Sequence, residues 1–215
     1  MTDDNVAALE RARFCDALEL AGPQAPTLCE GWLTRDLAAH VVLRETRPDL
    51  AAGILLPPLA RRLERAQADL AKAAWEGLVD KVRSGPPVWH PARLSAIDEA
   101  MNTIEFVVHH EDVLRGDGVP GPRRRPDAPT NKAVWAALKR MAPLMFRRCE
   151  VPVVMRTPEG RALTAKKGEG DGVTIAGAPI ELLLVAYGRA DAALVHWEGS
   201  ESDIASVRAT KLGLA

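Results

Sequence analysis

The spacing of apolar residues changes near residue 150. That change limits the chain to a helical part followed by a smaller part built on short strands. Upstream, apolar residues recur at three- and four-residue intervals; downstream they gather in β-branched runs broken by glycine turns. VPVVMRT, RALTAKK and GVTIAG are separated by Pro-Glu-Gly and Gly-Glu-Gly-Asp-Gly, the signature of a meander. Pro179 opens a helix, PIELLLVAYGR, because a missing N–H matters least in a first helical turn. ALVHWEG reads as another strand, and 201–212 as a closing helix. The expected class is mainly α: an antiparallel helical bundle over residues 1–150, then a small α+β domain over 151–215.

Five helices are expected in the first part. The first, 4–20, carries Val6, Leu9, Ala12, Phe14 and Leu18 at helical spacing and ends at Gly22-Pro23. Thr34 is the expected N-cap of the second, 34–47, which has Asp36 in its first turn and stops before Pro48. A third, 59–82, follows Pro57-Pro58 and ends at Ser84-Gly85-Pro86-Pro87. The fourth spans 95–114 and stops at Gly116-Asp117-Gly118. After a Pro/Gly/Arg loop, Thr130 is expected to cap a fifth that reaches about Arg148.

The 215 residues suffice for a core without disulfide or metal staples. Twenty-eight Lys+Arg against 29 Asp+Glu leave a net charge of −1, which excludes the basic footprint of a nucleic-acid binder. No apolar run is long enough for a bilayer, and the charged N-terminus lacks a signal peptide's apolar core, so a cytoplasmic protein is expected. Cys15, Cys29 and Cys149 form no CxxC pair and are expected as free thiols.

The fourth helix holds the densest chemistry, NTIEFVVHHEDVLRG. Glu105 and His109 stand four apart, hence about 40° apart around the axis, with Asp112 one turn on. Ile97, Met101, Ile104 and Val108 share that side, so it is the side expected to be buried. A buried carboxylate and imidazole need partners, and a divalent cation would satisfy both. His40, with Leu37, Val41 and Arg44 along the second helix, offers a third ligand. Three N/N/O ligands leave a position open for water or substrate, the pattern of a catalytic rather than a structural zinc site. The competing expectation is a pair of core histidines hydrogen-bonded to Glu105 and Asp112. His110 lies about 100° further round and is expected to face solvent or a neighbouring helix.

The segment TLCEGWLTRDLAAHV resembles the signature of the mycothiol-dependent maleylpyruvate isomerase family, within the DinB-like metal-binding superfamily. The helix with Glu105, His109 and Asp112 resembles that family's E-x-x-x-H-x-x-D helix, and GAPIELLLVAYGRADAALVHWEG resembles its smaller α+β domain with an "ELLL…GR" helix. The resemblance implies a DinB-like bundle with His40, Glu105 and His109 as metal ligands. The metal it implies is zinc, or another divalent ion such as nickel or iron. It also implies mycothiol as the thiol cosubstrate of a transferase or cis–trans isomerase acting on a small electrophile, with neither nucleic acid nor membrane as partner. In the isomerase the thiol adds to a cis alkene, permits rotation and leaves. Arg189 matches the family's "GR" arginine and is the expected holder of an anionic substrate. The alternative is a protein of the same fold that binds metal or ligand without turnover. Arg123–Arg125 are expected as a solvated loop, Trp32 as a core anchor, and Cys29 as a neighbour of the metal rather than a ligand.

Overall fold

The computed structural model describes residues 5–51, 57–86 and 96–213. Two compact units divide the chain, Met1–Asp117 and Gly118–Ala215.

The first unit is helical: α1 (Val6–Ala21), α2 (Thr34–Thr46), α3 (Pro48–Ala51), α4 (Pro57–Leu70), α5 (Trp75–Ser84) and α6 (Ala96–Leu114). The Asn5 carboxamide accepts the Ala8 N–H at 2.9 Å and starts α1. Gly22, at φ 74°, ends it in a conformation that other residues rarely adopt. Along α1, Phe14 and Leu18 are buried as their spacing predicts, whereas Leu9 is half-exposed and the charged Glu10 is fully buried. The α1 helix lies along α6 and α5.

Thr34 is not the cap of α2. Leu33 holds that position, and Asp36 accepts its N–H at 3.0 Å. The Thr34 hydroxyl instead donates to the carbonyl of Gly22, tying the start of α2 to the end of α1. The single third helix expected over 59–82 is two. Beyond Ala71 the backbone bonds shorten to three-residue spacing, Lys72 to Asp69 and Ala73 to Leu70, and α5 restarts at Trp75. The alanines at the break favour helix, so packing overrides them: both α4 and α5 lie against α2, and α5 also against α1. Phe14, Leu18, Leu37, Val41, Leu78 and Phe106 form the core between these helices.

The second unit holds α7 (Ala128–Met145), β1 (Val153–Arg156), β2 (Ala162–Lys166), β3 (Val173–Ala176), α8 (Pro179–Ala186), β4 (His196–Glu198) and α9 (Glu201–Ala209). Asp127, not Thr130, caps α7: its carboxylate accepts the Thr130 N–H at 2.8 Å, and Thr130 is buried within the first turn. The α7 helix packs on β2 and α8, so the boundary between the compact units falls ahead of it, not after it where the period changes. The sheet order is β2-β1-β3-β4. It is not a meander: β1 pairs antiparallel with β2 but parallel with β3, and β4 closes antiparallel on β3. Val153 and Met155 stand beside Val173 and Ile175, all buried, and set the register through one apolar face. The chain reaches the far edge of β1 through Gly172, at φ 61°, where a Cβ would come within 2.3 Å of the Pro152 carbonyl oxygen. Among the described residues no helix is long and apolar enough to cross a membrane.

Candidate metal centre

The centre is assembled from α2, α6 and the loop 23–33 that precedes α2. Packing burdens α6 unusually: from Thr103 to Val113 its side chains are buried all round, except for half-buried Glu105. A helix submerged on every side must satisfy each polar group it carries. Ile104 and Val108 are buried as expected, while the side chains of Ile97 and Met101 lie outside the described residues.

His109 is the pivot. Its Nδ1 lies 3.0 Å from Asp112 Oδ2, and its Nε2 lies 3.3 Å from Glu105 Oε2. The second contact is close but misdirected, and the buried Nε2 makes no hydrogen bond. The His40 ring stands edge-on to it with centroids 5.6 Å apart. One donor atom each from His40, Glu105 and His109 falls within 4.8 Å of the others. The three expected ligands are thus brought together from two helices, with 65 positions of sequence separating His40 from Glu105.

The electrostatics divide these groups. Burial pushes the His40 imidazole down to about 4, helped by the neighbouring His109, so His40 is neutral near pH 7. Burial works against ionised Glu105, but the close approach and charge of His109, with Arg44 and His40, bring its carboxyl down to about 2. Burial alone would lower His109, yet Asp112, Cys29 and Glu105 hold it well above the usual imidazole range. A cation between His109 and the carboxylate is therefore favoured, whether a proton or a metal ion.

Several residues support these three, and Asp112 is among the hydrogen-bond partners that the competing expectation named. Asp112 fixes the His109 ring, an arrangement in which a carboxylate on one ring nitrogen leaves the other for a metal. Arg44, one turn beyond His40, reaches Glu105 at 3.7 Å and donates to Asn102 at 3.0 Å. Gln67 of α4 lies beside His40 and slightly favours its protonated form. Of Arg44 and Gln67, only Arg44 carried a signal, its i+4 spacing from His40. Cys29 lies with Sγ 3.2 Å from Asp112 Oδ2, which makes a second cluster of Cys29, His109 and Asp112. The loop that carries it is pinned to α6 by the Leu28 N–H on the Asp112 carbonyl at 3.0 Å. Trp32 packs on the core and sets its ring 5.0 Å from His40. Cys15 and Cys149 are buried free thiols, raised by that burial, Cys15 to about 11.

His110 points elsewhere. It is buried rather than exposed, with Nδ1 3.8 Å from Glu10 Oε2 on α1, while Arg13 holds the other Glu10 oxygen at 2.7 Å. Arg189 follows α8 in the second unit. Gly188, at φ 80°, ends that helix, the Arg189 N–H bonds the Leu184 carbonyl, and its guanidinium donates to the Tyr187 carbonyl at 2.6 Å. The "GR" pair is therefore a helix terminator as well as a source of charge.

No protein-family model matches the sequence, and no curated protein does. Solved structures do match at the level of the fold. A crystal structure of the mycothiol-dependent maleylpyruvate isomerase aligns with TM-score 0.60 at 16% identity, over 91% of this chain and 92% of that one. A histidine-to-alanine mutant of that enzyme aligns with TM-score 0.61 at 15% identity over the same shares.

Proposed function

We propose, from the fold shared with the mycothiol-dependent maleylpyruvate isomerase, that this chain is a metal-dependent enzyme using mycothiol. In this reading His40, Glu105 and His109 hold one divalent ion, zinc by preference, and a low-molecular-weight thiol attacks an electrophilic substrate, in S-transfer or in cis–trans isomerisation. The observation that carries the reading is the buried, unsatisfied Nε2 of His109, set within 4.8 Å of donor atoms on His40 and Glu105. Most buried polar atoms in a packed core have a hydrogen-bond partner, and a metal ion would supply one here. Two imidazoles and a carboxylate suit zinc, and nickel or iron accept the same set.

Zinc bound there supplies an open coordination position and lowers the pKa of a thiol at it, so that thiolate exists near neutral pH. The residues provide the rest. His40 is already neutral and Glu105 already ionised near pH 7, the forms in which they act as ligands. Asp112 accepts the proton on His109 Nδ1 and thereby turns the Nε2 lone pair toward the centre. Arg44, 3.7 Å from the Glu105 carboxylate, restrains it. The Cys29 thiol donates to Asp112, which keeps it a supporting group and not a ligand. Arg189 is assigned to the substrate's carboxylate, where a guanidinium offers two parallel donors.

Metal analysis of purified protein tests the centre. His109→Ala should lose stoichiometric metal and stay helical by circular dichroism, whereas His110→Ala, facing Glu10, should retain it. Loss of metal in the second variant but not the first would reverse the ligand assignment. Wild-type protein that takes up no zinc on reconstitution would refute the centre. Thiol dependence is then assayed with mycothiol and maleylpyruvate.

A further inference from the structure

The second unit contains a cleft of about 720 Å³ that the proposed metal chemistry does not use. Its size lies within the range of small-molecule sites, roughly 300–1,000 Å³. Two kinds of surface meet in it. One is cationic: Arg124, Arg125, Lys132 and Arg161 line it, against the carboxylates Glu159 and Glu181. Both carboxylates are occupied. Glu159 pairs with Arg161 at 3.3 Å, and Glu181 accepts the Leu194 N–H at 2.8 Å. Arg125 and Lys132 have no ion pair among the described residues. The first turns of α7 and α8 also border the cleft and add the positive ends of two helix dipoles. The other surface is apolar, with Pro158, Ile180 and Leu194 on its walls. Leu194 is 59% exposed, one of the few large apolar side chains left in water.

We propose that this cleft binds a small amphipathic organic anion, its acidic group among Arg125, Lys132 and Arg124 and its hydrocarbon against Leu194 and Ile180. The charges of Arg125 and Lys132, which have no ion pair among the described residues, attract the acidic group. The exposed leucine gains contact only with a ligand that also carries an apolar part, which selects against a bare inorganic ion. Arg161 is braced by Trp135, its guanidinium carbon 5.2 Å from the ring centroid, and forms a fixed wall. The acidic group can be a carboxylate or a phosphate monoester. Both present the oxygen pairs that arginine receives in bidentate fashion.

The test uses the full-length protein and titration calorimetry with three probes: hexanoate, hexyl phosphate and inorganic phosphate. Saturable binding of at least one hexyl probe, tighter than inorganic phosphate, is expected, and the better of the two hexyl probes identifies the acidic group. Arg125→Ala combined with Lys132→Ala should weaken it at least tenfold, because both side chains are exposed and can be removed without disturbing the core. Leu194→Glu, also at an exposed position, should weaken it comparably by placing a like charge on the apolar wall. Metal content should be the same in all variants, which separates this site from the proposed centre. Binding that is unchanged in both variants, inorganic phosphate binding as tightly as the hexyl probes, or no saturable binding of any probe would overturn the proposal.

Discussion

At the scale of single residues, His109 is where the candidate centre was most and least legible. Its spacing from Glu105 is a helical i,i+4 pair and can be seen in any sequence. Its hydrogen bond to Asp112 depends on a χ angle that spacing does not set. Of the two open expectations, core histidines bonded to carboxylates and a metal triad, the structure contains elements of both: His109 bonds Asp112 through Nδ1, while its Nε2 stands beside Glu105 without a hydrogen bond. His40 supplies a prediction about the metal-free protein. Its imidazole is lowered from 6.5 to about 4, so the folded state resists a proton that the unfolded state accepts. Its stabilising contribution is present above the unfolded value and is lost as pH falls from about 6.5 toward 4, up to about 3 kcal/mol. Urea midpoints measured between pH 7 and 4.5 should fall more steeply for wild type than for His40→Gln. Equal slopes would mean that His40 is solvated in the metal-free fold.

At the scale of elements, the loop between α1 and α2 determines whether α2 presents His40 to α6 at all. Pro26 and Leu33 bridge its ends, and the Thr27 hydroxyl donates to the Trp32 carbonyl at 2.8 Å. The loop crosses the end of α6 so closely that a Cβ on Gly116 would lie 1.9 Å from the Pro26 carbonyl oxygen. Both sides of that contact are backbone, so neither yields by changing rotamer. Gly116→Ala should therefore destabilise the protein by about 2 kcal/mol or more, visible as a lowered urea midpoint, because chain segments would have to separate. A midpoint within error of wild type would show that the loop can lift off α6 freely. From sequence, Gly116 was only a helix terminator. Its partner is about ninety residues away in the chain, and no local pattern encodes such an approach. The break between α4 and α5 was hidden for the same kind of reason, since Ala71 to Ala74 have high helix propensity and bend only to meet α2.

At the scale of the molecule, Arg189 belongs to the second compact unit, where it follows α8, and the role proposed for it is to hold the substrate's carboxylate. Arg189→Lys should keep fold and metal content but raise the KM of the substrate at least several-fold, because an ammonium cannot reproduce the two parallel donors. An unchanged KM and kcat would leave Arg189 as the cation that follows the end of α8. The periodicity of the chain determined by itself that helices precede strands, which residues form nearly every element, and that Glu105 and His109 share a helix face. Those are local properties, set by side-chain spacing and backbone geometry over a few turns. Only the tertiary structure decided that β3 lies parallel to β1, that α7 joins the sheet, that α6 is buried from Thr103 to Val113 except at Glu105, and that His40 meets His109. Each of these depends on which surfaces meet across long stretches of chain, where packing and the satisfaction of buried polar groups outweigh any local preference.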